Sequence, residues 1–171
     1  MTAAAVTELA VWEALAKVED PEIPAVSVVD LGIVRRVELG DGRLRVELLP
    51  TFVGCPAVEL IRRAVAERLA PFAPVVEVEP TFAEPWTSDR ITPEGRRKLR
   101  ESGFAPPDLA RAPAPAGDEP LLLTITTRTA AICPYCGSSD TAMENPFGPT
   151  LCRSIFYCNG CMQPFEQFKS V

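Results

Sequence analysis

Apolar side chains recur at helical spacing near the start of the chain: Val11, Trp12, Leu15 and Val18 fall on one face, with Thr7 at the N-cap position and Asp20-Pro21 as a stop. The period then changes. From Ile33 to Leu49 apolar and polar residues alternate, and Ile33, Val37 and Leu39 face Leu44, Val46 and Leu48 across Gly40-Asp41-Gly42, which predicts a β-hairpin. Helical spacing returns at Val58, Ile61, Val65 and Leu69, with Pro56 as the first helical residue and Pro71 as the end. A strand is predicted from Val75 to Glu79, and Thr92-Pro93-Glu94 opens a third helix that ends near Gly103. That helix has little apolar surface beyond Leu99, so Arg96, Arg97, Lys98 and Arg100 read as a solvated face.

Residues 105–120 carry five prolines among alanines and charges, a composition that stays extended rather than packing. They read as a linker, with an α+β domain of helix, β-hairpin, helix and strand at residues 1–104. A small cysteine-rich module at residues 121–171 follows it. No internal repeat appears on either side.

Composition narrows the chemistry. With 171 residues and 47% apolar content there is room for one or two small domains. The net charge of -6, with Lys and Arg interspersed among acidic residues, removes the attraction that nucleic acid and anionic lipid require, so neither is an expected partner. No basic leader precedes an apolar stretch, and no run approaches the roughly 20 apolar residues that span a bilayer, so a cytoplasmic location is expected. In that reducing compartment six cysteines point to metal ligation rather than disulfides. Histidine is absent altogether, which excludes Ser-His-Asp and Cys-His catalysis and leaves thiolates and carboxylates as metal ligands.

Cys133-Pro134-Tyr135-Cys136 and Cys158-Asn159-Gly160-Cys161 are two C-x-x-C turns separated by 21 residues. Each turn sets two sulfurs on one side of a knuckle, and a hairpin between them closes a tetrahedron around one zinc ion. Four thiolates leave no position for water, so this zinc is structural, and it supplies on the order of 10 kcal/mol to a module with little core. The main alternative is a thioredoxin-like redox pair, but that motif begins a helix within a βαβ unit, which this pattern lacks. Cys152 reads as a small apolar residue of a strand through Ile155, against a fifth or exchanging ligand.

Cys55 stands alone in Thr51-Phe52-Val53-Gly54-Cys55-Pro56, a strand-to-helix turn whose backbone N–H groups and helix dipole are expected to stabilise a thiolate. The competing reading is a buried turn residue. Asp20, Glu22 and Asp30 are acidic turn residues that matter chemically only if they lie near Cys55.

Asp20-Pro21-Glu22, Asp30-Leu31-Gly32 and the turn from Thr51 to Pro56, in this order around a hairpin, resemble the small α+β domain of SufT-type iron-sulfur cluster maturation factors, over most of residues 10–93. Phe147-Gly148-Pro149-Thr150 before Cys152, Pro164-Phe165-Glu166-Gln167-Phe168-Lys169 after the last knuckle, and Trp86, Thr87 and Ile91-Thr92-Pro93 narrow the likeness. The two halves together resemble the D-component family of bacterial phenylacetyl-CoA epoxidases. That resemblance implies an accessory maturation role for a multicomponent di-iron oxygenase in aerobic phenylacetate catabolism, with the other oxygenase or reductase components as partners. It further implies that Cys55 handles iron or an iron-sulfur cluster and that Asp30 is the carboxylate going with it. A cluster usually takes four thiolates and this domain has one, so a cluster here is transient or shared with another chain, a homodimer partner included. Catalysis by this chain alone is not expected, since it lacks the carboxylate and histidine set of di-iron sites. A second reading is a zinc-ordered structural adaptor with an inert Cys55 and with Phe165 and Phe168 as binding anchors. A third, an enzyme with Cys55 as nucleophile, must find its base among carboxylates and lysines.

Overall fold

The computed structural model describes residues 6–52, 54–107 and 131–169. The chain divides into two compact units, Met1–Ser102 and Gly103–Val171. No helix among the described residues is long and apolar enough to cross a membrane.

In the first unit, helix α1 (Glu8–Leu15) is capped by Thr7, whose hydroxyl accepts the Ala10 N–H at 3.2 Å. Val11, Ala14 and Leu15 are buried, while Trp12 is half-buried with its indole N–H donated back to Glu8. Strands β1 (Val34–Gly40) and β2 (Arg43–Leu48) form the expected hairpin, with Val37 opposite Val46 and Leu39 opposite Leu44. Asp41 and Gly42 make its turn at φ 50° and 73°. The two strands are unequally buried. Leu44, Val46 and Leu48 have almost no exposure, whereas Val37 is half-buried and Leu39 exposed. The reason is the third strand, β3 (Val75–Pro80), which pairs parallel to β2 and leaves β1 at an edge.

Helix α2 (Val58–Leu69) makes the crossover between β2 and β3 and buries Ile61, Val65 and Leu69. It begins two residues later than Pro56 suggests. Pro56 and Ala57 lie in a turn closed by the Val58 N–H on the Cys55 carbonyl at 3.3 Å, and Ile61 then makes the first bond to Ala57 at 2.9 Å.

The remainder of this unit folds onto the Asp30-Leu31-Gly32 loop. The Trp86 indole N–H donates to the Leu31 carbonyl at 2.9 Å, the Thr92 N–H to the Asp30 carbonyl at 2.9 Å, and Arg90 Nε to the Gly32 carbonyl at 3.1 Å. Gly32 has φ +63°, and a Cβ there would lie 2.3 Å from the Arg90 carbonyl oxygen, so the loop accepts only glycine. A short 3-10 turn, Ser88–Arg90, leads to helix α3 (Pro93–Glu101), capped by Thr92. The basic residues of α3 are not simply solvated. Arg96 donates to the Ser88 carbonyl at 2.6 Å and Lys98 to Asp30 at 2.7 Å, while Arg97 bridges Glu94 and Glu101 on the helix surface.

The second unit is a four-stranded sheet in the order β4-β7-β6-β5, from β4 (Phe104–Ala105), β5 (Thr141–Asn145), β6 (Arg153–Cys158) and β7 (Gln163–Phe168). Strand β4 runs parallel to β7 and the other pairs are antiparallel. The Phe156 and Phe165 rings stack at 5.7 Å within a core that also holds Ala105, Ala131, Cys133 and Cys158. Phe165 and Phe168 are 4% and 3% exposed, which removes them as surface anchors. Ala105, assigned to the linker by composition, lies in a strand, and residues 108–120 of that linker fall outside the described residues. The chain is thus an α+β protein with its four-cysteine ribbon at the C-terminal end.

Candidate functional site

Cys133 and Cys136 flank the first knuckle, which is closed by the Gly137 N–H on the Cys133 carbonyl and the Cys133 N–H on the Ser138 carbonyl, both at 2.9 Å. Cys158 ends β6, and the Met162 N–H returns to its carbonyl at 2.9 Å to close the second knuckle around Cys161. Both turns need a left-handed residue after the second cysteine, supplied by Gly137 at φ 74° and Met162 at φ 59°.

The result brings all four sulfurs within 4.8 Å of one another, with 3.7 Å between Cys133 and Cys161 and 3.5 Å between Cys136 and Cys158. Tetrahedral bonds of about 2.3 Å to zinc set sulfurs about 3.8 Å apart, so the donor set fits a tetrathiolate ion. Cys133 and Cys158 are buried, Cys161 is half-buried and Cys136 is exposed. The backbone N–H of Cys161 pulls the Cys158 thiol down to about 7, whereas burial and the neighbouring sulfurs push Cys161 up to about 12. Crowded sulfurs resist successive ionisation, and a central cation removes that resistance for all four. Cys152 is not among them. It is half-buried, with its sulfur 3.1 Å from the Thr150 hydroxyl. Among the described residues, no other set of three or more cysteine, aspartate or glutamate side chains is close enough to share an ion.

Cys55 lies in the turn between β2 and α2 and is half-buried. The helix start is expected to favour its thiolate, but the net effect is the reverse. Burial pushes the thiol above its ordinary 9.0, the Ala57 and Val58 N–H groups oppose this, and the charges of Glu22 and Asp20 add to the rise. The helix begins only at Val58, so its dipole is offset by desolvation and two nearby carboxylates. The thiol is therefore protonated at neutral pH, and a metal bound there must displace its proton.

Those carboxylates are what the linear sequence left undetermined. Asp20 is buried, and its Oδ1 accepts the N–H groups of Glu22 and Ile23, both at 2.9 Å, which turns the chain so that Glu22 and Asp20 act on Cys55. Asp30 is engaged elsewhere. Its Oδ2 accepts from the Ser27 N–H and hydroxyl, both at 2.8 Å, and from Lys98 Nζ at 2.7 Å. Burial alone would raise the Asp30 carboxyl, but Lys98 and Ser27 outweigh it and hold it below the usual carboxylate range. The family resemblance groups Asp30 with Cys55, and the charges that add to the rise of this thiol are those of Glu22 and Asp20.

Comparison with known proteins agrees with both halves. Residues 118–169 match the family described as PaaD zinc beta ribbon domain, and residues 8–79 match the family described as iron-sulfur cluster assembly protein. Over 167 residues the chain is 34% identical to a protein of Escherichia coli (strain K12) named as the D component of 1,2-phenylacetyl-CoA epoxidase, covering 94% of this chain and 92% of that one. Among solved structures, a domain of unknown function, DUF59, from Bacillus anthracis is 27% identical with a TM-score of 0.50, over 54% of this chain and 90% of the other. A conserved hypothetical protein from Thermotoga maritima is 34% identical over 57% of this chain and 98% of its own, with a TM-score of 0.49. An iron-sulfur assembly domain followed by a four-cysteine zinc ribbon, matched nearly end to end by one relative, places the chain in the D-component family of the phenylacetyl-CoA epoxidases.

Proposed function

We propose that this chain is an accessory assembly component of a multicomponent di-iron phenylacetyl-CoA epoxidase in aerobic phenylacetate catabolism, with no turnover of its own. In this reading Cys55 hands iron or an iron-sulfur cluster to an oxygenase or reductase component in the cytoplasm. The observation that carries it is the Cys55 turn: a half-buried thiol that feels the charges of Glu22 and Asp20, inside an iron-sulfur assembly domain. The two carboxylates that disfavour a bare thiolate favour a cation next to it, so proton release and metal capture are coupled. One thiol without histidine does not complete a cluster's ligand set, which makes the cluster cargo, bridged to ligands of the client or of a second copy of this chain.

The ribbon's tetrathiolate set suits a resident zinc that orders the module and takes no part in transfer. Asp30 serves the transfer site by fixing the loop on which Trp86 and α3 rest. The adaptor reading is weaker, because Phe165 and Phe168 lie in the core.

The test is co-expression of the oxygenase and reductase components with the wild-type chain or with Cys55→Ser, followed by iron analysis and epoxidation assays on the purified client. Client iron and activity fall several-fold with the serine variant, while its own stability changes by about 1 kcal/mol or less. Full iron loading and activity of the client with Cys55→Ser would end this reading.

A further inference from the structure

The ribbon is held together by a piece of chain that precedes its own family match. Strand β4 (Phe104–Ala105) lies ahead of residue 118, where that match begins, yet it pairs with Glu166 and Gln167 of β7. Ala105 is 1% exposed and belongs to the same buried cluster as Cys133 and Cys158, one cysteine from each knuckle. The Arg153 guanidinium, itself 7% exposed, stands 5.5 Å over the Phe104 ring and binds Glu166 at 2.9 Å, fastening β4 to both β6 and β7. At the other end, Tyr135 of the first knuckle lies against Gly103. A Cβ on Gly103 would sit 2.9 Å from the phenol oxygen, and the φ of +83° likewise suits glycine.

These contacts touch both halves of the four-cysteine centre. Tyr135 belongs to the knuckle of Cys133 and Cys136, whereas β6 ends in Cys158 and is hydrogen-bonded to β7. Releasing an ion from four thiolates requires the two knuckles to part, and residues 103–105 tie the first knuckle to the sheet that carries the second. We propose that Gly103, Phe104 and Ala105 form a strap that controls the rate at which the four-cysteine centre exchanges its metal. The strap adds no ligand. It positions the existing ones, and it rests on the reading that the centre holds zinc.

The experiment uses the full-length, zinc-loaded protein. Zinc content per chain is measured first, and then the rate of zinc transfer to an excess of a chromogenic chelator. Phe104→Ala removes the ring beneath Arg153, and Tyr135→Ala removes the contact between knuckle and strap while leaving β4 intact. Phe147→Ala is the matched control, because Lys169 stands 5.3 Å from that ring in a comparable cation–π contact outside the strap. Both strap variants keep the wild-type zinc content and release it about tenfold faster, the scale of one lost cation–π or aromatic contact, while Phe147→Ala stays within about twofold. If Phe104→Ala fails to load zinc, the rate of Tyr135→Ala decides. Wild-type release rates in the strap variants, or equal acceleration by Phe147→Ala, overturn the strap with the zinc reading intact. A wild-type chain that takes up no zinc overturns the zinc reading and the strap with it.

Discussion

Asp30→Asn separates a structural carboxylate from a metal-handling one. Asp30 Oδ2 receives Lys98 Nζ at 2.7 Å and both donors of Ser27 at 2.8 Å. The amide keeps an acceptor oxygen but loses the charge. A hydrogen bond to a charged group contributes about 1.5 to 3 kcal/mol, and Lys98 is 32% exposed, so water takes back part of that and about 1.5 to 2 kcal/mol remains. For a domain of about 100 residues this lowers the melting temperature by about 10 °C. Trp86 is the natural reporter, 3% exposed with its indole N–H on the carbonyl of the neighbouring Leu31. The pH dependence gives the sign. The folded-state carboxyl lies below its ordinary 3.8, so its stabilisation is complete above that value and is lost as pH falls through the lowered one. The wild-type and Asp30→Asn melting temperatures therefore differ at pH 7 and converge in acid. A gap of the same size at pH 7 and in acid, or no gap at pH 7, would refute the charge argument. Unchanged stability together with loss of client iron would instead make Asp30 a ligand.

Two further perturbations address the ribbon. Cys136→Ser should lower zinc from about one per chain to near zero and remove the dispersed ribbon amide signals, since metal binding supplies on the order of 10 kcal/mol to such modules. The Trp86 melting transition should persist, and its simultaneous loss would show that the two units unfold as one. Met162→Gly should stabilise the zinc-loaded ribbon by about 0.5 to 1 kcal/mol, because Met162 occupies φ 59° while 63% exposed. Gly137→Ala should cost about 1 kcal/mol from backbone strain alone, since no atom lies within 4 Å of the added Cβ. Thermal melts of the two variants that move together, rather than in opposite directions, would contradict the knuckle geometry.

The four cysteines were legible in the sequence because ligand type and spacing carry the whole signal, and nothing in their surroundings had to be known. The hairpin and the three helices were legible for a similar reason, since each declares itself within a dozen residues through periodicity and caps such as Thr7 and Thr92. What escaped depends on contacts between distant residues. Strand β4 has two residues and no periodicity, and it is a strand only because β7 lies beside it. The exposure of Leu39 follows from which strand became central, a fact about β3 rather than about β1. Phe165 and Phe168 are separated by Glu166 and Gln167, a spacing that does not tell a core from a docking face, and their burial, with Phe165 stacked on Phe156, decides for the core. The influence of Asp20 and Glu22 on Cys55 depends on how one loop turns about the Asp20 side chain.

The raised pKa of Cys55 has a consequence for chemical durability. Peroxide and similar oxidants attack thiolates far faster than thiols, so a cysteine kept protonated and half-buried resists conversion to sulfenic acid. In the proposed role beside an oxygen-consuming enzyme, such oxidants arise close by. Burial, with the charges of Glu22 and Asp20 adding to it, holds the proton on Cys55 and so guards its sulfur.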